Sequence, residues 1–206
     1  KFKNNVAYRN KFRSENNFKN DDLIFIYLGR INPDKGLAVL ARAFLKLNEI
    51  NKSVKLIFVG PNEENEKKKI MEILNNNSIK SVKFFPFTMT PEKIINGCDI
   101  LVLPSFREGF GVVIIEAAAI GLPSIGSNIY GIQDAIKTLS DSEIPLLVSD
   151  ENGKFGILTK DDFNSDIAIK QLCKLVTEND IDPILSTKIT EHVIRVGMGE
   201  DSTLEI

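Results

Sequence analysis

Short runs of continuous apolar residues alternate along this chain with segments whose apolar residues recur at helical spacing. Leu23-Ile-Phe-Ile-Tyr-Leu28 stands between Asp21-Asp22 and Gly29, Val54 to Val59 closes at Gly60-Pro61, and Val82 to Phe85 ends at Pro86. Ile100 to Leu103 and the pair Ser124-Ile125 continue the series. A strand with one wet face alternates apolar and polar residues, so runs with no polar side are buried on both faces. Between them, Leu37 to Leu47 carries a helical apolar stripe, and Pro91 to Asn96 reads as a short helix capped by Thr90. A helix from about Glu63 to Leu74 has Glu63, Glu64 and Glu66 early and Lys67, Lys68 and Lys69 after them, an order that suits the helix dipole on a solvated face. Gly111 to Ile120 is almost wholly apolar, and another helix begins near Tyr130. This alternation predicts an α/β fold, a Rossmann-like doubly wound parallel sheet.

The 206 residues suffice for a full core, and 43% hydrophobic with 26% charged residues is ordinary for a globular chain. A net charge of −2 leaves no electrostatic footprint for nucleic acid. Cys98 and Cys173 lie in apolar contexts without CxxC spacing and read as reduced core thiols, and the single histidine, His192, excludes multi-histidine metal sites. No apolar run approaches the roughly 18 residues of a membrane span. The polar start, Lys1-Phe-Lys-Asn-Asn5, is no signal peptide, so the expected location is cytoplasmic. The triplets Asn51-Lys-Ser53 and Asn76-Asn77-Ser78 are then chance matches to a glycosylation pattern. Residues 1–22 read as a linker or the remnant of a preceding domain, 23–196 as the folded domain and 197–206 as a tail. Within the domain, Phe155 to Leu158 reads as a late strand and Phe163 to Val176 as an amphipathic helix.

Glu116 is the most unusual residue. Four apolar residues precede it and four follow, so its helix offers no polar face. A buried ionised carboxylate without partners costs several kcal/mol, which predicts a definite hydrogen-bond partner, and the paired hydroxyls of a ribose suit its two oxygens. Two loops at carboxyl ends of strands hold the other candidates. In Gly29-Arg30-Ile-Asn-Pro-Asp-Lys35-Gly36, Arg30 and Lys35 suit phosphate oxygens, or else form a solvated turn with the bases paired to Asp34. In Ser105-Phe-Arg-Glu108-Gly109-Phe110-Gly111, the glycines permit close backbone approach ahead of a helix N-terminus, and Arg107 binds an anion or pairs with Glu108. Phe84, Phe85 and Phe87 stack on a base or pack in the core, and Gly131 is a turn residue that would border a sugar pocket.

Taken together these pieces resemble the C-terminal, nucleotide-sugar-binding domain of glycosyltransferase family 4, the retaining enzymes of GT-B fold. The matching residues are Gly29-Arg30, Lys35-Gly36, Pro104-Ser105, Glu108-Gly-Phe-Gly111 with Glu116-Ala117, Gly121-Leu-Pro123 and Tyr130-Gly-Ile-Gln-Asp134-Ala135, and the likeness runs from about Leu23 to Val176. It implies that Arg30, Lys35 and Glu108 are catalytic. Arg30 and Lys35 would hold the donor diphosphate and stabilise charge on the leaving group. Gly29, Gly109 and the backbone of Phe110, Gly111 and Val112 would help to bind the donor, Glu116 would grip its ribose, and Glu108 would contact the hexose near its anomeric carbon. Front-side attack, in which the leaving phosphate takes the acceptor proton, is favoured over Glu108 acting as a nucleophile. No metal is expected, since the basic residues substitute for a cation. The implied donor is a UDP-sugar by default, with a GDP-sugar as the other choice.

The chain departs from the family in having Pro86 where a Gly is usual and a long polar stretch from Thr138 to Lys154. The resemblance also implies an N-terminal acceptor-binding domain that is missing here, so that this chain alone would be inactive. A whole enzyme of this kind would work at the inner face of the cytoplasmic membrane, peripherally attached, building a surface glycan. Two alternatives are a nucleotide-sugar epimerase of the same fold, which would call for catalytic histidines beyond His192, and a non-catalytic nucleotide-binding module.

Overall fold

The computed structural model describes residues 1–74, 78–122, 124–127 and 129–137, together with two backbone strands at 146–149 and 155–158. Its strands are β1 (Leu23–Leu28), β2 (Val54–Val59), β3 (Val82–Phe85), β4 (Ile100–Leu103), β5 (Ser124–Ser127), β6 (Leu146–Ser149) and β7 (Phe155–Leu158). The helices are α1 (Val6–Glu15), α2 (Leu37–Ile50), α3 (Glu66–Ile73), α4 (Pro91–Ile95), α5 (Val112–Ala118) and α6 (Tyr130–Lys137). One seven-stranded sheet runs in the order β3-β2-β1-β4-β5-β6-β7. The strands from β3 across to β6 are parallel, and β7 pairs antiparallel to β6.

This is the expected doubly wound sheet. The order reverses between β1 and β4, where Phe25 lies opposite Ile100 and Ile26 opposite Leu101. Right-handed crossovers place the helices that follow β1 and β2 on one face and those that follow β4 and β5 on the other. The core explains why the strands read as unbroken apolar runs: Ile24, Ile26, Tyr27, Leu56, Ile57, Phe58 and Leu101 are all fully buried. Phe84 stacks on Phe58 with ring centroids 4.9 Å apart, and Phe85 meets Phe12 at 5.6 Å, so these two phenylalanines serve packing while Phe87 is exposed.

The polar start, expected as a linker or the remnant of a preceding domain, carries α1, which packs beside α4. Asn5 caps this helix by accepting from the Tyr8 N–H at 3.1 Å, and Phe12 enters the core. The anchor is ionic. Asp99, just before β4, accepts from Arg9 at 2.6 Å, from Arg13 at 2.7 Å and from the backbone N–H of Ile24 at 2.7 Å. One carboxylate thus ties α1 to the start of β1. Charged residues with hydrophobic stems can do what an apolar stripe usually does, and that is why a helix lay inside a polar segment.

Smaller differences have local causes. The helix expected from Glu63 begins at Glu66, because Glu64 and Asn65 adopt left-handed backbone conformations with φ of 52° and 56°. Thr90 stands at the start of α4 without a side-chain cap, and its own N–H donates to Thr88 Oγ1 at 3.1 Å. Strand β6 lies inside the stretch read as a long polar connection. The helix expected at Phe163 to Val176, Cys173, His192 and the tail from residue 197 lie outside the described residues. Among the described residues no helix is long and apolar enough to cross a membrane.

Candidate functional site

In an open parallel sheet the crevice for ligands forms at the carboxyl ends of the strands where the order reverses. Here the loops after β1 and β4 meet at that point. The backbone N–H groups of Phe106 and Arg107 both donate to the Asp34 carbonyl, at 2.8 and 3.3 Å. Gly36 has φ of 64°, and a Cβ there would strike the Pro104 carbonyl oxygen, so glycine is what lets the two loops close up. Gly131 does the same for the third loop, since a Cβ on it would strike the Glu108 carbonyl.

The charged groups gather over this seam. Lys35 Nζ lies 2.9 Å from Glu108 Oε2 and donates to the Arg107 carbonyl at 3.1 Å. Both side chains are largely withdrawn from water, at 11% and 18% exposure, so the pair is screened less than a surface one. Arg30 Nη1 approaches Glu63 Oε2 at 3.4 Å in a wetter setting, at 64% and 37% exposure. Asn32 donates to the same Glu63 oxygen at 3.0 Å. Beneath them, the buried Tyr27 hydroxyl donates to the Arg30 carbonyl at 2.7 Å and steadies the loop. Burial pushes that phenol's pKa up, and the nearby Glu108 carboxylate pushes it further, so it remains a protonated donor.

A cleft of about 530 Å³ opens here, a size that suits a small-molecule ligand. Arg30, Lys35, Glu108 and Gly109 line it, with Phe106 and Tyr130 at its walls. Four of the residues expected from the sequence thus come together, and Gly29 directly precedes Arg30 in the same loop. Of the backbone groups expected to help bind the donor, the N–H groups of Gly111 and Val112 are engaged within the fold. Gly111 N–H donates to the Gly131 carbonyl at 3.0 Å and Val112 N–H to the Phe110 carbonyl at 2.8 Å. The bases do not pair with Asp34, and the partner of Glu108 is Lys35 and not Arg107, which is exposed.

Glu116 differs from the expectation. The stripe that α5 buries is Ile114, Ala117 and Ala118, and Glu116 lies off it, half-buried, outside the cleft wall. It makes no hydrogen bond or ion pair among the described residues. Burial raises its pKa above the usual carboxylate value, with Lys1 opposing that shift and Glu92 adding to it. Because the folded-state value is the higher one, the charged form is penalised in the fold, and the penalty appears as pH rises past the unfolded value. Glu116→Gln is therefore expected to raise the thermal midpoint at neutral pH and to match the parent chain below about pH 4, where the Glu116 carboxyl is protonated whether the chain is folded or unfolded. Thermal denaturation across that range checks it, and an equal shift at every pH would refute the assignment.

Sequence reasoning missed Tyr130, Ile129 and Phe106 as cleft walls, and it missed Glu63. Glu63 was within reach, because it follows Gly60-Pro61 at the carboxyl end of β2, the neighbour of β1. The walls were not, because their place depends on how loops fold back.

The model of the family described as glycosyl transferases group 1 matches residues 8–150. The capsular polysaccharide biosynthesis glycosyltransferase CapM of Staphylococcus aureus is 31% identical over 153 residues, covering 70% of this chain and 39% of that protein. The chain spans little more than a third of the length of the curated relatives it matches, 39%, 35% and 36% for three of them. Among solved structures, the C-terminal domain of the group 1 glycosyl transferase LpcC from Francisella tularensis superposes with a TM-score of 0.61 at 18% identity, covering 96% of this chain and 94% of that one. HepE from Anabaena, solved with UDP-glucose, superposes with a TM-score of 0.60 at 18% identity, covering 96% of this chain and 54% of its own. At those identities the two structures establish the shared fold.

Proposed function

The chain belongs to the glycosyl transferases of group 1, and we propose that it is the donor-binding half of a retaining enzyme of glycosyltransferase family 4. The reaction is transfer of a hexose from a nucleotide diphosphate sugar to a glycan or lipid-linked acceptor. The observation that carries this reading is the Lys35–Glu108 pair at 2.9 Å in a cleft at the reversal of the sheet. A lysine has three donors. Two are spent on Glu108 and the Arg107 carbonyl, and the third serves a diphosphate oxygen. Arg30, on the same wall, holds a second phosphate oxygen, and together they neutralise the charge that develops as the sugar leaves. With two cations supplied by the protein the step proceeds without a metal.

Glu108 orients the hexose near its anomeric carbon. Its carboxylate is engaged by Lys35, which lowers its strength as a nucleophile and favours front-side attack, with the leaving phosphate accepting the proton of the incoming hydroxyl. Gly109 and Phe110 give the donor close approach to the backbone. Glu116 takes the ribose hydroxyls, a role suited to a half-buried carboxylate whose hydrogen-bonding capacity is unspent. The HepE complex with UDP-glucose supports a UDP-sugar as the donor, with a GDP-sugar as the second choice. The acceptor site belongs to an N-terminal domain. In support, this chain covers 94% of an isolated C-terminal domain but 54% of the HepE chain. The whole enzyme works peripherally at the inner face of the cytoplasmic membrane.

Glu116→Ala is expected to weaken UDP binding by about 1–3 kcal/mol through loss of hydrogen bonds to the ribose. The fold should persist, because alanine is an excellent helix former in this apolar setting. Calorimetric titration of the parent and variant chains decides the point, and unchanged affinity would remove the ribose role.

A further inference from the structure

We infer that Glu63 is a selectivity residue, a fixed carboxylate against Arg30 that disfavours the free nucleoside diphosphate relative to the nucleotide sugar. The inference rests on the donor site proposed above. Glu63 lies outside the cleft and acts through the guanidinium that lines it.

Its position is built from several directions. The Glu63 N–H donates to the Ile31 carbonyl at 2.9 Å, the Ile31 N–H donates to the Pro61 carbonyl at 2.8 Å, and Ile31 forms an isolated parallel bridge with Asn62. The loop after β2 is thus zipped to the loop after β1. The carboxylate accepts from Asn32, which is itself buried, at 3.0 Å, independently of its contact with Arg30 at 3.4 Å. When Arg30 turns to a phosphate, Asn32 keeps the negative charge where it was. The phenol of Tyr27 feels Glu108 and Glu63 in one sense and Arg30 in the other, which places these groups together over the end of β1.

A nucleotide sugar carries its diphosphate with both ends esterified. The free nucleoside diphosphate ends in a monoester whose second proton leaves near pH 6, so above that pH it brings about one further negative charge. A carboxylate fixed beside the phosphate-binding arginine repels the charges both ligands share and this extra charge besides, so it disfavours the free nucleoside diphosphate more. The substrate is held in preference to the product, and the product leaves more easily. The charged group in contact with Glu63 is Arg30, Glu108 acts on the same Tyr27 phenol, and Glu64, Glu66 and Lys67 follow Glu63 in sequence. The pH dependence that separates the two ligands follows the second ionisation of the terminal phosphate, which only the free nucleoside diphosphate has.

The test titrates UDP and UDP-glucose into the parent chain, Glu63→Gln and Glu63→Asp, each at about pH 5.5 and about pH 8, on either side of the phosphate's second ionisation. Glu63→Gln keeps the acceptor for Asn32 and removes the charge. It is expected to tighten UDP at the higher pH roughly 3- to 10-fold more than it tightens UDP-glucose, with the gap closing at the lower pH. Glu63→Asp is expected to keep the parent's preference. Equal changes for both ligands, or weaker UDP binding in Glu63→Gln, would overturn the inference while leaving the donor site standing. Failure of the parent chain to bind either ligand would remove the donor site and this inference with it.

Discussion

Lys35→Met is expected to weaken binding of UDP or a UDP-sugar by about 2–4 kcal/mol, more than any other single change in the cleft. The lost hydrogen bond is charge-assisted, and the side chain that makes it is 11% exposed. The substitution also strands Glu108. Its carboxylate, 18% exposed, then faces the incoming phosphates with no counter-charge. Arg30→Ala is expected to cost less, about 1–2 kcal/mol, because Arg30 is 64% exposed and its contact with a phosphate is screened by water. The double change Lys35→Met with Glu108→Gln is expected to recover part of the loss, since it removes the stranded charge along with its partner. Calorimetric titration of the single and double variants separates these terms. Equal losses for Lys35→Met and Arg30→Ala, or no recovery in the double variant, would contradict the burial argument.

Asp99→Ala is expected to destabilise the domain by about 3 kcal/mol, the lower end of what breaking a buried ion pair costs. The lower end is chosen because Arg13, at 4% exposure, keeps other partners when Asp99 goes. Its guanidinium also donates to the carbonyls of Gly97, Lys19 and Asp22, at 3.0, 2.7 and 3.0 Å. What it loses is the neutralising charge, together with the link from α1 to the Ile24 N–H. For a chain of this size the thermal midpoint should fall by roughly 6–12 °C. Lys11→Ala, which breaks an exposed pair with Glu15, should move it hardly at all. A similar small shift for both variants would mean that α1 is not anchored through Asp99. Neither residue lies in the cleft, so nucleotide affinity of the folded Asp99→Ala chain should be unchanged.

The sheet was legible because burial on both faces leaves a plain mark. Leu23 to Leu28 and Ile100 to Leu103 are apolar without interruption, and the structure sets them side by side at the reversal of strand order. Once those two strands are adjacent, the loops after them must meet; the apolar pattern put both loops at one sheet edge, and the family resemblance grouped Arg30, Lys35 and Glu108 within them. Helix α1 was not legible, because arginines and one carboxylate hold it where an apolar stripe would normally do so. Strand β6 is four residues set just after a proline in a polar stretch, too short for periodicity to separate from a loop. Glu116 shows the limit of reading burial from composition. Its neighbours in sequence are all apolar, yet only those at helical spacing from Ile114 face the sheet, and Glu116 falls between them.

The central claim is that the cleft at the reversal of the sheet is a nucleotide-sugar donor site, and titration of this chain with UDP, GDP, ADP and CMP in a calorimeter tests it most directly. Saturable binding of one of the diphosphates, strongly reduced in Lys35→Met, is the predicted result and would identify the base. A folded chain that binds none of the four, or binds one equally well without the lysine, would contradict it.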